Sequence, residues 1–477
     1  MKHTRPWAAQ LIVTILAFAS PALGQTSWWR TYGGTSTDVG CSVQQTTEGG
    51  YIIAGMTMSF GAGGDDVYLV KTNPSGYAQW TRTYGGASDD WGYSVQQTTD
   101  GGYVIAGMTD SYGAMGDHVY LIKTDSSGDA VWARTYGWTD YAVGYSVQQT
   151  ADGGYVIAGV AYSSGAADQN VYLVKTNASG DTLWTRTYGD TSYQDCFSVR
   201  QTSDGGYIMA GTTASFRAGG YDVYLIKTSP SGDTLWTRAY GGTNGDYGYS
   251  VKQTSDNGYI VAGATYSFGA GNGDVYLIKT NATGDTMWTR TYGGTNWDLG
   301  NSVQQTSDGG YIIAGLTVSF GAGGDDVYLV KTNASGDSLW TRAYGGANDD
   351  LANPVQQTSD GGYVIAGETK SFGARGWDVY VIKTDAYGHV GLAEPSTPQL
   401  TNSRTAFRVQ PNPFSSFAVV PGHETERFIL SDISGRQVGI SSGSRIGEGL
   451  APGVYFLSPV AKPATTCFRP LRVVKGE

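Results

Sequence analysis

Apolar and polar positions along this chain repeat in a unit of constant length. A tyrosine preceded by Gly-Gly or Asn-Gly occurs seven times, always 52 residues after the one before it. A fixed period of this size is typical of repeat architectures, in which each repeat is one supersecondary unit. Positions that are identical in all copies should serve the fold, whereas positions that vary are free to serve function. The tyrosines are Tyr51, Tyr103, Tyr155, Tyr207, Tyr259, Tyr311 and Tyr363.

Each unit contains four short apolar runs that are separated by turn residues. In the second unit these runs are 94–98, 103–107, 119–124 and the segment around Trp132. They are rich in Val, Ile, Tyr and Thr, which favour strands, and none shows the spacing of an amphipathic helix. An Asp-Gly pair between the first two runs is typical of a hairpin turn. The pattern therefore predicts four antiparallel strands, named A to D, in every unit.

The ends of the repeat array predict a closed ring. A single four-stranded sheet cannot bury both faces, but seven sheets packed around an axis can, as the blades of a β-propeller. The first D-strand tryptophan, taken as Trp29, precedes every A strand, and Leu392 stands where the last one is expected. We therefore expect segment 28–32 to supply the fourth strand of the last blade. An open solenoid would instead need atypical capping units at both ends. The predicted fold is all-β, with a seven-bladed propeller over residues 25–392.

The order of motifs within one unit resembles that of kelch-type propellers. Aliphatic residues and glycine occupy strand B (52–55), an Asp-Val-Tyr sequence begins strand C (66–68), and Trp80 lies in strand D. The resemblance covers about residues 29–392 and implies the blade architecture. Kelch repeats carry a double glycine after strand B, whereas this chain has glycine followed by a variable residue.

The N-terminal residues 1–24 have the pattern of a secretory signal peptide. Lys2 and Arg5 give a basic start, an apolar stretch follows over 7–19, and small residues precede a cleavage point at Gln25. The apolar stretch is too short to span a bilayer. The sequence thus predicts an exported protein with no transmembrane segment in the mature chain.

The C-terminal region departs from the repeat. After a predicted linker at 393–403, residues 404–477 contain a Pro-Asn-Pro-Phe sequence at 411–414, further landmarks at 430–436 and 450–457, and basic residues near the end. This order resembles the type A C-terminal sorting domain of the type IX secretion system. The resemblance implies a small β-sandwich that is read by an outer-membrane translocon and is usually removed.

The same resemblance implies a Gram-negative bacterium of the Bacteroidetes and related lineages. It also implies type IX secretion machinery as a partner, and a protein that is secreted or held on the outer cell surface. The alternative is a generic small β-domain with a Pro-Asn-Pro-Phe turn.

Charge and composition narrow the possible functions. The formal net charge is −11 and the pI is about 4.8, which disfavours nucleic-acid binding because that function needs a basic surface. Cys41, Cys196 and Cys467 form no disulfide framework. No histidine pair has metal-ligand spacing, and no nucleophile motif is present. The sequence therefore predicts no catalytic residue, no metal and no cofactor.

Rings of identical residues favour a structural interpretation, whereas the variable loops favour a functional one. The lysines that end every C strand and the arginines of every D strand are taken as structural. Strand connectivity places the D–A and B–C loops on one face, which we expect to be acidic and to carry variable aromatic rings. Such a face is suited to stacking on sugar rings and accepting hydroxyl hydrogen bonds. The candidate binding residues are Trp91, Trp138, Tyr193, Tyr221, Tyr247, Trp297, Trp377, Asp90, Asp246 and Asp298.

The sequence supports one functional hypothesis above two others. The first is a non-enzymatic propeller that binds an extracellular polymer or a cell-surface partner, carbohydrate or protein, through the D–A/B–C face. The second is a secreted polysaccharide-active enzyme, which would need local loop insertions that the constant step excludes. The third is a purely structural surface protein, in which the loop aromatics are ordinary turn residues.

Overall fold

A computed structural model describes most of the repeat array and part of the C-terminal region. The described residues are 27–113, 116–137, 141–162, 169–215, 220–391, 419, 427–431, 437–442, 444–446, 448, 450–459 and 471–475. The predicted signal peptide, the linker, the 411–414 sequence, Trp138 and Leu392 lie outside them. Contacts divide the chain into two units, Met1–Glu394 and Pro395–Glu477. Within the described residues all regular structure is β.

The first unit is a propeller of seven four-stranded antiparallel sheets. The A strands contact one another around the axis in a complete circle, and the D strands lie outermost. Strands are numbered along the chain. The A strands are β2 (Asp38–Gln45), β6 (Asp90–Gln97), β10 (Ala142–Gln149), β14 (Gln194–Gln201), β18 (Asp246–Gln253), β22 (Asp298–Gln305) and β26 (Asp350–Gln357). The B strands are β3 (Tyr51–Thr57), β7 (Tyr103–Thr109), β11 (Tyr155–Tyr162), β15 (Tyr207–Thr213), β19 (Tyr259–Thr265), β23 (Tyr311–Thr317) and β27 (Tyr363–Thr369).

The outer strands follow the same order. The C strands are β4 (Asp66–Thr72), β8 (His118–Thr124), β12 (Gln169–Thr176), β16 (Asp222–Thr228), β20 (Asp274–Thr280), β24 (Asp326–Thr332) and β28 (Asp378–Thr384). The D strands of blades 1 to 6 are β5 (Ala78–Tyr84), β9 (Ala130–Tyr136), β13 (Thr182–Tyr188), β17 (Thr234–Tyr240), β21 (Thr286–Tyr292) and β25 (Ser338–Tyr344). The D strand of blade 7 is β1 (Trp28–Tyr32).

The N-terminal strand closes the ring, as the sequence predicted. β1 pairs antiparallel with β28 from Trp28 opposite Lys383 to Tyr32 opposite Val379. The hydroxyl of Tyr32 donates to the carbonyl of Gly76 at 2.6 Å, and the same bond joins every D strand to the next blade. The closing junction is therefore built like the other six.

The tryptophan assignment within the closing strand was wrong by one residue. Trp28, not Trp29, is the counterpart of Trp80, because Trp28 lies opposite Lys383 as Trp80 lies opposite Lys71. The Trp28 ring packs edge-on against Tyr51 with centroids 5.5 Å apart. Trp29 is on the other side of the strand and contacts Tyr380 at 5.9 Å. Two adjacent tryptophans made the register ambiguous in the sequence.

Each core cluster of the propeller joins two neighbouring blades. In the junction between blades 1 and 2, Ile52 and Leu69 of one sheet pack with Val95 and Tyr103 of the next, and all are buried. Every B strand is apolar along nearly its whole length because both of its faces are covered. The hydrophobic effect therefore holds the ring together blade by blade.

The A–B and C–D turns form one face of the propeller, called here the lysine face. Lys123 is the second-last residue of β8 and its side chain is 6% exposed, with its ammonium 2.9 Å from Asp100 Oδ2 in the A–B turn. It also donates to the carbonyl of Thr124 at 2.7 Å. Equivalent ion pairs occur in all seven blades, with Glu48 as the acid in blade 1. These contacts confirm the structural interpretation of the lysine ring.

The arginine ring also has a structural role. Arg82 lies over the ring of Trp80, 5.4 Å from its centroid, and reaches Asp129 of the next blade at 3.3 Å. The other D strands repeat the stacking on their own tryptophans. The arginines thus cover the outer edge strands with charge.

The second unit contains one four-stranded sheet in its described part. Its order is β30 (Gln437–Ser442), β29 (Arg427–Ser431), β31 (Gly453–Pro459) and β32 (Leu471–Lys475). Phe428, Leu430, Ile446 and Leu457 are buried together on it. This is consistent with a small β-domain, and the expected sandwich stays a prediction.

Candidate binding site at the mouth of the central channel

The predicted aspartates lie on the D–A/B–C face, but they are buried. Asp90, Asp246 and Asp298 are the first residues of their A strands and have no exposed surface. Asp90 Oδ2 accepts hydrogen bonds from Gly86 N at 2.8 Å and Ser111 Oγ at 2.6 Å. The other two make the equivalent bonds. The prediction that these carboxylates form an acidic binding surface is therefore wrong, because they hold the loops in place.

These aspartates belong to carboxylate pairs at the junctions between blades. Asp90 faces Asp66, the first residue of β4, across Gly85, where a Cβ would overlap an oxygen of each carboxylate. Burial and the nearby Asp38 raise the pKa of Asp378, in the closing junction, to about 6. Two junctions lack the acid pair. One has Asn170 with Gln194 and the other has His118 with Ala142.

Three of the predicted aromatic residues form a cluster on this face. The rings of Tyr193 and Tyr221 are 5.5 Å apart, and those of Tyr221 and Tyr247 are 5.7 Å apart. Tyr221 is 36% exposed, so the cluster is open to solvent. Trp138 lies outside the described residues.

The other three predicted aromatics are separate from this cluster. Trp91 donates from its indole nitrogen to Asp65 Oδ2 at 2.9 Å. Trp297 is 39% exposed. The ammonium of Lys370 lies over the Trp377 ring, 4.2 Å from its centroid. Within the described residues, no ring contact joins Trp297 or Trp377 to the tyrosine cluster.

Further aromatic residues, absent from the prediction, connect Trp91 to the tyrosine cluster. Tyr93, Tyr145, Phe197 and Tyr249 follow one another around blades 2 to 5, with centroids 5.0, 5.3 and 5.5 Å apart. Tyr93 lies 5.7 Å from Trp91 at one end. At the other end Tyr249 stacks on Tyr247, 6.4 Å away. The aromatic crescent is therefore the row Trp91, Tyr93, Tyr145, Phe197, Tyr249, Tyr247, Tyr221 and Tyr193.

A β-bulge in strand A places the middle of the crescent. The pairing of β6 with β7 shifts between Gly92 and Ser94, which leaves Tyr93 unpaired. Such a bulge re-aims the side chain of the extra residue and is frequent beside functional sites. The bulged residue differs among the blades: it is Cys41, Tyr93, Tyr145, Phe197, Tyr249 and Asn301 in blades 1 to 6, and Asn353 lies in the wider irregularity of blade 7. This variation within a constant repeat was the signal that could have revealed the site.

Five residues of the crescent line one side of an open cavity of about 410 Å³ at the channel mouth, namely Trp91, Tyr93, Tyr145, Phe197 and Tyr249. The opposite wall contains Cys41, Asn301, Asn353 and Glu368. The Asn301 amide donates to the carbonyl of Ala352 at 2.8 Å, which holds it against the next blade. Burial raises the pKa of Glu368 to about 7, although Lys370 opposes this shift. The mouth therefore combines an aromatic wall with a wall of amide and carboxyl groups.

Below the mouth, the channel contains a second cavity of about 530 Å³. The seventh residue of strand A lines it in every blade. This residue is Gln44, Gln96, Gln148, Arg200, Lys252, Gln304 and Gln356 in order. Each glutamine accepts a hydrogen bond from a backbone N–H of the following blade, for example Gln97 N to Gln44 Oε1 at 2.6 Å. The channel wall is thus a repeated hydrogen-bonded ring that two cations interrupt.

The mouth of the channel also contains a cysteine, whose thiol is affected by burial. Burial raises the pKa of the Cys41 thiol to about 12, so the thiol is neutral at physiological pH. Among the described residues, no group of three His, Cys, Asp or Glu side chains is arranged to hold a metal ion. No helix in the described part of the chain is both long and apolar enough to cross a membrane.

Comparison with known proteins gives distant matches. No family model matches the chain. The regulatory protein FlaEY of Caulobacter vibrioides is 25% identical over 266 residues, which is 45% of this chain and 28% of that protein. The chain thus spans less than a third of the length of that curated relative.

Comparison with solved structures also gives distant matches. Sqt1 from Chaetomium thermophilum has a TM-score of 0.43 and 12% identity, with 80% of this chain and 88% of that chain covered. The WD40 domain of Neurospora crassa Pan2 has a TM-score of 0.44 and 10% identity, with 78% and 99% covered.

Proposed function

We propose that this chain is an exported, non-enzymatic binding protein whose propeller holds an extracellular carbohydrate polymer on the aromatic crescent. The observation that carries the proposal is the continuous row of aromatic rings along the rim of an open cavity. Sugar rings present C–H groups that stack on aromatic faces, while their hydroxyls bind amide and carboxyl groups. The wall of Asn301, Asn353 and Glu368 supplies such groups opposite the crescent.

The site has the layout expected of a binding surface on a rigid scaffold. Seven of the eight crescent residues are half-buried, and Tyr221 is exposed, so the rings are packed against the scaffold while part of each stays accessible to solvent. The strands that hold them are tied to both neighbouring blades. A preorganised surface of this kind loses little conformational entropy when a ligand binds.

Binding should be measured with the full chain against a panel of neutral and acidic polysaccharides, by affinity electrophoresis and calorimetry. We expect Tyr145→Ala and Phe197→Ala each to weaken binding by about three- to tenfold, the loss of one stacked ring. Tyr387→Ala is the matched control, because Tyr387 is 67% exposed on the opposite, lysine face. No binding to any polysaccharide, or equal losses for all three variants, would contradict the proposal. Analysis of the incubated polysaccharides should show no cleavage products.

We also propose that the ends of the chain direct export, with residues 1–24 as signal peptide and residues 404–477 as a type IX sorting domain. The support is the order of landmarks in the sequence, together with the small four-stranded sheet of the second unit. A fluorescent reporter carrying both segments should reach the medium or cell surface of a host with this secretion system. Deletion of residues 411–414 should retain it inside the cell, and unchanged export after the deletion would contradict the assignment.

A protein partner on the same face is the second candidate, and the propeller fold is consistent with such a role. Trp297 and Trp377 favour it, because they lie at the surface outside the crescent and tryptophan is enriched where protein interfaces bind most strongly. If a protein is the ligand, Trp297→Ala and Trp377→Ala should abolish capture of a surface partner while Tyr145→Ala leaves it unchanged.

A further inference from the structure

The channel wall changes its chemistry at two neighbouring blades. In five blades the seventh residue of strand A is a glutamine whose side-chain oxygen accepts a backbone N–H of the next blade. Blades 4 and 5 carry Arg200 and Lys252 there instead. Arginine and lysine side chains have no acceptor atom. The two backbone N–H groups that would have donated to them, those of Gln253 and Gln305, therefore cannot make this bond.

The result is an excess of hydrogen-bond donors over acceptors at this part of the channel wall. Arg200, Lys252, Gln253 and Gln305 all line the same cavity of about 530 Å³. None of the described residues that line this cavity is an aspartate or a glutamate. The described residues give Arg200 two acceptors, Val199 O at 2.6 Å and Ser146 Oγ at 3.3 Å, both for the same Nη1 atom. Among the described residues, the ammonium of Lys252 has no ion pair and no hydrogen bond.

Two like charges in one half-buried cavity are costly unless a counter-charge is present. Burial lowers the pKa of Arg200 to about 10. Burial, and then repulsion by Arg200, lowers the pKa of Lys252 well below its usual value. A bound anion would remove this repulsion and supply the missing acceptors to both cations and to both N–H groups.

We infer that the central channel binds an oxyanion between Arg200 and Lys252, and that this anion is an acidic group of the polymer that enters past the aromatic crescent. Arg200 lines both the mouth cavity and the channel cavity, so the two cavities adjoin each other at this residue. The ligand class is thereby narrowed to an acidic polysaccharide with pendant or terminal carboxylate or sulfate groups. The identity of the polymer rests on the proposed function, whereas the anion site does not.

The repeat itself offers a matched variant. Arg200→Gln with Lys252→Gln restores the residue that five blades carry at this position, and should complete the hydrogen-bonded ring. Arg186→Gln is the charge control, because Arg186 lies on the outer D strand over Trp184. All proteins are titrated with sodium sulfate, sodium glucuronate and glucose at constant ionic strength, with melting temperature and calorimetry as readouts.

The wild type and Arg186→Gln should bind sulfate and glucuronate saturably and melt at higher temperature with them, since a ligand of the native state stabilises it. Glucose should give no such shift. The double variant should bind both anions at least about tenfold more weakly, the loss of two charge-assisted contacts. In the absence of anion, the melting temperature of the double variant should be no lower than that of the wild type. Equal anion responses in the wild type and the double variant would overturn the site.

A final comparison separates this inference from the proposed function. Tyr145→Ala should lose the acidic polysaccharide but keep inorganic sulfate, whereas the double variant should lose both. Sulfate binding that depends on Arg200 and Lys252, without binding of any polysaccharide, would keep the anion site and overturn the proposed function. Equal affinity of the wild type for neutral and uronate polymers would overturn the acidic ligand class.

Discussion

The two faces of the propeller differ in what the repeat preserves. On the lysine face, the same lysine, acid and threonine recur in blade after blade, and each set holds its own A–B turn. On the D–A/B–C face the strands begin at nearly constant positions, but the bulged residue changes from Tyr93 to Phe197 to Asn301. One face therefore builds the ring, and the other uses the ring to display different side chains.

The two faces also differ in how their acidic side chains are paired. The acid of each A–B turn on the lysine face is paired with a lysine, whereas the buried aspartates at five blade junctions of the other face are paired with one another. Hydrogen bonds from Thr98 and Lys123 lower the pKa of Asp100 to about 2, against the raising effect of burial. At the opposite face, burial and Asp38 raise the pKa of Asp378 to about 6. The two faces should respond to pH with opposite signs.

The largest expected effect tests whether the constant positions are equivalent. Tyr155→Ala and Tyr259→Ala each remove a buried ring that packs edge-on against a tryptophan, at 5.8 Å in both cases. Each should lower the free energy of unfolding by about 3–5 kcal/mol, as other buried aromatic truncations do. Denaturant titration should give equal losses. A difference of more than about 1 kcal/mol between them would show that the repeats are not energetically alike.

The next largest effect concerns how an aspartate on the lysine face contributes to stability, and how that contribution depends on pH. Asp152 accepts bonds from Lys175, Thr150 and Gly154, and its pKa is about 2 despite the opposing effect of burial. A lowered native pKa adds stability above about pH 4 that is lost as pH falls through about 2. Asp152→Asn should cost about 1 kcal/mol at pH 7, a small value because the carboxylate is well exposed. At pH 2 the variant and the wild type should unfold at the same denaturant concentration.

At the D–A/B–C face, stability is expected to change with pH in the opposite direction. Asp378 has a raised native pKa, so stability is lost as pH rises from about 4 through about 6. Asp378→Asn places there the residue type that blade 3 carries as Asn170, and should gain about 1 kcal/mol at pH 8 with no gain at pH 4. The gain is measured by thermal unfolding across this range. A loss at pH 8 would mean that the ionised pair is needed, for instance to hold a cation.

The smallest effect tests the ion pairs that join D-strand arginines to the C–D turn of the next blade. Arg186 and Asp233 lie 3.7 Å apart with side chains 40% and 69% exposed. Such surface pairs contribute little because water and salt screen them. Asp233→Asn should change the free energy of unfolding by less than about 0.5 kcal/mol at pH 7. A larger loss would show that these arginine–aspartate pairs carry part of the ring's stability.

The sequence was sufficient to predict the ring and its closure, because both depend on the spacing of turns and buried aromatics that recur every 52 residues. It was not sufficient for the side-chain environment near the axis. Strand A was expected to begin at Ser94, but it begins at Asp90 and contains a bulge that interrupts its alternation. The extension buries Asp90, and the bulge turns Tyr93 toward the mouth. Three of the predicted aromatics, Tyr193, Tyr221 and Tyr247, do lie together.

Strand β1 has a consequence for the order of assembly. Its partner β28 comes from the far end of the repeat array, and contacts between such distant segments form slowly. Blades 1 to 6 each contain four consecutive strands and can form as the chain emerges, but blade 7 stays a three-stranded sheet with an open edge until segment 28–32 docks. A chaperone or a translocation pore that binds segment 28–32 would therefore prevent the ring from closing. Closure would follow only after this segment is released.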